Sequence, residues 1–188
     1  MNDSGRNLLL ILLCFFLLVM LAGCGVSDAQ IKKDYVEYAK GVNGFVSDAF
    51  ANDKTRENWQ AGRMNEDEIS NIAAHYRSLL NDLKSYVTKE RKLTDKYEPK
   101  SADLMQAKRN IKSFSDEAEK FIGAELDSAE ALRAPGSWDF VNNKPGSTNL
   151  VQQFEALSNI PNALSAYSEA GKRLEDTLGI SLGSSIIR

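Results

Sequence analysis

The chain has 188 residues, with 23 basic and 26 acidic side chains, a formal net charge of −3, one histidine and two cysteines. A balance this close to neutral argues against a nucleic-acid binder. The cysteines, Cys14 and Cys24, both stand near the start, so the chain after residue 24 can form neither a disulfide nor a thiolate metal site.

The first element is a leader. Arg6 is followed by Leu8 to Met20, an uncharged apolar run too short for a free-standing membrane helix. It closes on Leu21-Ala22-Gly23-Cys24, where small residues lead directly into a cysteine. This stretch resembles the signal and lipobox of bacterial lipoproteins. The resemblance implies cleavage after Gly23, diacylglycerol on the thiol of Cys24 and acylation of the new amino terminus. Such chains, at about 0.8 kcal/mol per buried methylene, hold a domain on a bilayer, and no other cofactor is expected. Gly25 stands where an aspartate would retain many such proteins in the inner membrane. That favours the outer membrane in a Gram-negative host and otherwise the outer face of the cell membrane. Residues 1–23 are then the removed signal, 24–27 a short tether, 28–179 one helical domain and 180–188 an apolar tail. The signal carries Asp3 and Arg6, one charge of each sign, so the mature part keeps the −3.

Four helices follow. Over residues 28 to 53, Ile31, Tyr35, Tyr38, Val42, Phe45 and Ala49 recur at helical spacing. Asn65-Glu66-Asp67-Glu68 reads as a capping box opening a second helix, whose stripe is Ile69, Ile72, Tyr76, Leu79, Leu83, Tyr86, Leu93 and Tyr97, ending before Pro99. Ser101 caps a third, with Leu104, Ala107, Ile111, Phe114, Ala118 and Phe121, then Leu126, Ala129 and Leu132 before Pro135-Gly136. The fourth uses Leu150, Phe154, Leu157, Leu164, Tyr167, Leu174 and Leu178 and stops at Gly179, with Pro161 expected to kink or split it.

Helices two and three are joined by a few residues around Pro99 and should lie antiparallel. A turn there pairs Leu93 with Leu104, Tyr86 with Ile111, Leu83 with Phe114, Leu79 with Ala118 and Tyr76 with Phe121, and sets Glu90 opposite Lys108. The fold expected is all-α, an elongated four-helix up-down-up-down bundle about 45 Å long at 1.5 Å per residue. An oligomer built on the same stripes is the secondary reading.

Charge distinguishes the two ends. Residues 84 to 112 hold nine basic side chains against four acidic ones, whereas residues 113 to 130 hold six acids and only Lys120. The basic stretch surrounds the Pro99 turn, which an up-down bundle places at the tethered end. Lys89, Arg91, Lys92, Lys96 and Lys100 are therefore candidates to face an anionic bilayer, each worth on the order of 1 kcal/mol near the headgroups. The competing reading is that they complement the dipole at the end of helix two.

At the opposite end both tryptophans fall in connections: Trp59 among Arg56 and Arg63, and Trp138 with Phe140. Tryptophan and arginine are enriched at interface hot spots, so these five form a candidate partner-binding cap, unless the rings fold inward and plug the bundle. Chemistry has little support. His75, the lone histidine, has no zinc-site context, and Gly179-Ile180-Ser181-Leu182-Gly183 imitates a nucleophile elbow without a following histidine. It reads as a helix stop followed by a tail. The expectation is a non-enzymatic envelope adaptor that binds a protein complex or wall component, without metal or nucleic acid. The alternatives are a protective lipoprotein that binds an incoming protein and, less favoured, a wall hydrolase using paired carboxylates.

Overall fold

The computed structural model describes residues 26–51, 65–134, 136, 138–139, 144–146 and 150–183. Four helices account for most of them: α1 (Asp28–Ala51), α2 (Glu66–Lys96), α3 (Ala102–Arg133) and α4 (Leu150–Leu178). Between α3 and α4 runs a two-residue antiparallel ladder, β1 (Trp138–Asp139) with β2 (Lys144–Pro145), pairing Trp138 with Pro145 and Asp139 with Lys144. The all-α bundle is as the periodicity predicts.

The helix ends obey their local chemistry. Asn65 and Glu68 form the complete capping box, the Asn65 side chain accepting from Glu68 N and Glu68 Oε2 from Asn65 N. Ser101 Oγ accepts from Leu104 N at 3.3 Å. Gly179 ends α4 at φ +62°, a left-handed position that glycine takes without a Cβ penalty. Of the two consequences expected of Pro161, division does not occur: α4 is one helix from Leu150 to Leu178. Ile160 and Tyr167 are buried, and Ala163 and Leu164 pack on the same core, so contacts on both sides of the proline hold the helix through its missing hydrogen bond.

The core centres on α3. Leu104, Ala107, Ile111, Phe114, Ala118, Phe121 and Ile122 are buried along it, and α3 is the helix whose backbone closely approaches all three others. Small residues on it, Ala107, Ser115 and Ala118, allow that approach. Aromatic rings fill the seams: Tyr38 stacks on Tyr86 at 5.2 Å, Phe114 on Tyr167 at 5.1 Å, and Phe50 on Phe121 at 5.0 Å. A Cβ at Gly41 would collide with the Tyr86 ring, which explains a glycine inside α1.

At the α2–α3 seam Tyr86 stacks on Tyr38 of α1, whose hydroxyl reaches Ser115. Glu90 shares a groove with Lys108, the residue expected opposite it, and with Lys112, whose charge favours the ionised carboxylate. Tyr97 and Ser101, which flank the connection, are extended.

Tyrosine hydroxyls fasten α1 to its neighbours. Tyr97 donates to Asp34, Tyr38 bonds Ser115 at 2.8 Å, Tyr167 donates to Asn43 Oδ1 at 2.6 Å, and Tyr76 donates to the Ala49 carbonyl at 3.4 Å. Ser115 Oγ gives its own proton to the Ile111 carbonyl, so Tyr38 is the donor in their bond. Tyr35, fully buried, has a hydroxyl without a partner among the described residues, and burial pushes it up to about 12.

Ser115→Ala should therefore cost about 1–3 kcal/mol, because it leaves the Tyr38 hydroxyl unpaired. The double variant with Tyr38→Phe should recover part of that loss. Tyr35→Phe removes an unpaired group and should stay within about 0.5 kcal/mol of the parent or exceed it. Urea unfolding of the four proteins checks all three statements.

Candidate functional site

One end of the bundle gathers the start of α1, the α2–α3 turn and the end of α4. The Ser27 side chain caps α1 by accepting from Gln30 N at 3.2 Å. The Asp28 carboxylate instead crosses to the turn, accepting from Lys100 N at 3.1 Å and Ser101 N at 2.9 Å. The bond from the Lys100 backbone does most to hold this carboxyl below its usual range. On the other side Gly179 closes α4 beside Lys32, whose ammonium would lie 3.8 Å from a Cβ built on that glycine.

The five basic candidates at this end go to three places. Lys89, Lys92 and Lys96 share a face of α2 and, with Asp34, Glu37, Tyr38 and Tyr86, line a groove of about 470 Å³ against α1. Lys89 Nζ lies 4.9 Å from the Tyr86 ring centre, and Lys96 Nζ lies 4.6 Å from that of Tyr97. Lys96 also donates to the Tyr97 hydroxyl at 2.8 Å, which in turn donates to Asp34. This relay raises Lys96 and lowers Asp34, in each case chiefly through the bond with Tyr97. Arg91 turns outward into an exposed pair with Asp95 at 3.7 Å, a kind of contact worth about 0–1 kcal/mol. Lys100 is exposed on the turn itself.

A second basic groove, of about 570 Å³, lies between α2 and α3, and the sequence reading did not separate it. Glu90, Thr94 and Glu98 line one wall; Met105, Lys108, Arg109 and Lys112 line the other. Their i, i+3, i+4, i+7 spacing was a legible sign of one helix face. Lys108 Nζ donates to the Tyr97 carbonyl at 2.9 Å, at the end of α2. Arg109 donates through Nη2 to Gln106 Oε1 at 2.6 Å, and Lys112 pairs with Asp116 at 2.9 Å. Burial holds the Glu90 carboxyl above its ordinary range, with Asp116 adding to the shift and Lys112 opposing it.

Of the opposite cap, Trp59, Arg56, Arg63 and Phe140 lie outside the described residues, and Trp138 contributes the backbone of β1. Cys24 also lies outside them. His75 is half-buried beside Tyr76, their ring centres 6.1 Å apart. Ser181 is exposed and accepts from Gly183 N at 3.2 Å, just beyond the helix stop. The first part of the tail is docked: Leu182 is buried, its N–H donates to Glu175 Oε1 at 2.5 Å, and its carbonyl accepts from Asn43 at 3.0 Å. Among the described residues no group of three or more His, Cys, Asp and Glu is placed to hold a metal ion, and no helix is long and apolar enough to cross a membrane.

Compared with known protein families, curated proteins and solved structures, the chain matches none.

Glu90 gives a pH-dependent prediction. Its folded state holds the proton more tightly than the unfolded chain, so ionisation costs stability above the folded value, and the cost disappears as pH falls below the unfolded one. Glu90→Gln should raise the melting temperature by about 1–2 °C at pH 7. The gap should close as the pH is lowered through the carboxylate range in a melting series.

Proposed function

We propose that this protein is a lipid-anchored envelope protein that works by binding, held on the bilayer through Cys24 and presenting its far connections to a protein partner. The observation that carries the reading is the seat of the α2–α3 turn on the start of α1 through Asp28. Asp28 stands four residues after Cys24, so the most basic stretch of the chain lies beside the proposed anchor. A negatively charged leaflet attracts such a surface, and the attraction gives a tethered bundle a preferred end. The acyl chains are the only prosthetic groups this reading needs. It places the protein on the outer membrane where the host has one and otherwise on the outer face of the cell membrane.

Support for binding over catalysis comes from how the polar groups are used. Lys96, Lys108 and Lys112 are each bonded to a neighbouring oxygen, and the half-buried acid Glu90 shares an open groove with Lys108 and Lys112. The partner surface falls to Trp59, Arg56, Arg63, Trp138 and Phe140, residue types that dominate interface energetics.

Two measurements test this. Cys24→Ser should release the protein from the membrane fraction or leave it with its leader attached, and unchanged retention of a processed chain would sink the anchor. Crosslinking capture from intact cells with the Trp59→Ala/Trp138→Ala variant should lose a partner that the parent retains, with lipidation and helical content intact. Recovery of the same partners from both would remove the cap from the reading.

A further inference from the structure

We infer that the bundle rests on the bilayer through one side of its near end, a footprint made by Val26, Lys100 and the first turns of α3 at Met105, Lys108 and Arg109, and not through the α2 lysines. This rests on the lipid-anchor reading above and deepens it by naming the surface that meets the lipid.

Exposure is the first observation. The large apolar side chains left exposed among the described residues are Val26, at 41 %, and Met105, at 42 %. Both stand at the same end. Val26 precedes by two residues the Asp28 carboxylate that holds the turn, and Met105 N bonds the Ser101 carbonyl at 3.0 Å in the first turn of α3. Lys100 is exposed on the turn, and Lys108 and Arg109 follow Met105 on its own helix face. Exposed apolar side chains at an end that also carries these cations match the layered chemistry of an anionic bilayer surface, phosphate outermost and hydrocarbon beneath.

Helix direction is the second. Every Cα–Cβ bond in a helix tilts toward its amino terminus. The amino terminus of α3 is at the near end, so Met105, Lys108 and Arg109 lean toward the proposed membrane. The bonds agree, because Arg109 reaches back to Gln106 and Lys108 reaches back to Tyr97. In α2, which runs the other way, Lys89, Lys92 and Lys96 start out leaning away from that end.

Company is the third. The α2 lysines face the carboxylates Asp34 and Glu37 across their groove, and Lys96 is held through Tyr97 to Asp34. The α3 cations share their groove with Glu90 and Glu98, but Lys108 and Arg109 bond the uncharged oxygens of Tyr97 and Gln106. The α2 lysines are better placed to fix α1 on α2 than to meet lipid.

The test uses the full protein purified from membranes and reconstituted in phosphatidylglycerol–phosphatidylcholine vesicles containing a phospholipid with a photoreactive group near the headgroup. After illumination and tryptic digestion, lipid adducts are counted by mass spectrometry. The peptide Ser101–Lys108 should carry at least threefold more adduct than Ser85–Lys89 and Leu93–Lys96. Met105→Asp should lower its yield at least threefold with helical content unchanged, and Lys92→Glu should leave it unaltered. Even adducts over the three peptides, a maximum on the α2 peptides, or indifference to Met105→Asp would each overturn the footprint. The mass of the amino-terminal peptide separates this result from the anchor. Acyl chains on Cys24 with even adducts reject the footprint alone, whereas a concentrated footprint on a chain without acyl groups upholds it and rejects the anchor.

Discussion

The fastening of α1 by tyrosine hydroxyls is the interaction on which the arrangement of the bundle depends. The bonds fall at Asp34, Tyr38, Asn43 and Ala49, nearly the full length of the helix, and they reach the α2–α3 connection, α3, α4 and α2 in turn. An apolar stripe alone would let α1 slide or rotate by a residue at small cost. A hydroxyl bonded to one named oxygen does not, because each displacement leaves a buried polar group unpaired at about 1–3 kcal/mol. The rings supply burial and their hydroxyls supply register. Asn43 shows the consequence furthest along the chain: it accepts from Tyr167 and donates to the Leu182 carbonyl, so one α1 side chain positions both α4 and the start of the tail.

From that register follows the charge geometry of the near end. With α1 fixed, Asp28 meets the backbone of the turn and Asp34 meets Tyr97, so two acids of α1 are spent on the connection between α2 and α3. Both carboxyls are held below their ordinary range by those bonds, and they remain ionised through the neutral range. The cations they might have neutralised are divided between two grooves. One is shared with α1 and contains acids from it; the other lies between α2 and α3 and opens beside Met105. A single basic stretch of sequence thus becomes two surfaces of different character because antiparallel helices send their side chains in opposite directions.

Much of this was legible before any coordinates. The stripes through Ile31, Tyr35 and Tyr38, through Tyr76, Leu79 and Leu83, and through Ile111, Phe114 and Ala118 all mark buried faces, because helical period and burial are the same fact seen twice. The caps at Asn65 and Ser101 and the stop at Gly179 are local chemistry, readable from neighbours within four residues. What escaped was set by backbone path and by competition among partners. The Tyr97 hydroxyl bond to Asp34 and the Asp28 bonds to the turn join residues more than sixty positions apart, and no periodicity within either helix encodes them. Likewise Val46, and not Phe45, is the more deeply buried residue of α1, since the stripe drifts as the helix passes from one neighbour to the next. The division of the basic residues needed the third dimension, although the spacing of Met105, Lys108, Arg109 and Lys112 already placed them on one face. The aromatic cap around Trp59 and Phe140 lies outside the described residues, and its chemistry is still read from residue type.

The unpaired hydroxyl of Tyr35 shows what the tyrosine network is selecting. Its ring lies edge-on to Tyr97 with centroids 6.2 Å apart, and both are buried at the near end. Stability alone would place phenylalanine at Tyr35, since a buried hydroxyl without a partner costs more than it returns. The neighbouring tyrosines differ because each hydroxyl finds an oxygen that exists only when α1 sits in one place: Asp34 for Tyr97, Ser115 for Tyr38. Near-end burial therefore divides into rings that add apolar area and hydroxyls that specify position. That division matters most where α1 begins. Whatever pull the preceding chain exerts is applied to the first turn of α1, and it is resisted by directional bonds from Asp28 and Asp34 to the turn between α2 and α3. A load entering there passes directly to α3, the helix that touches every other element of the core.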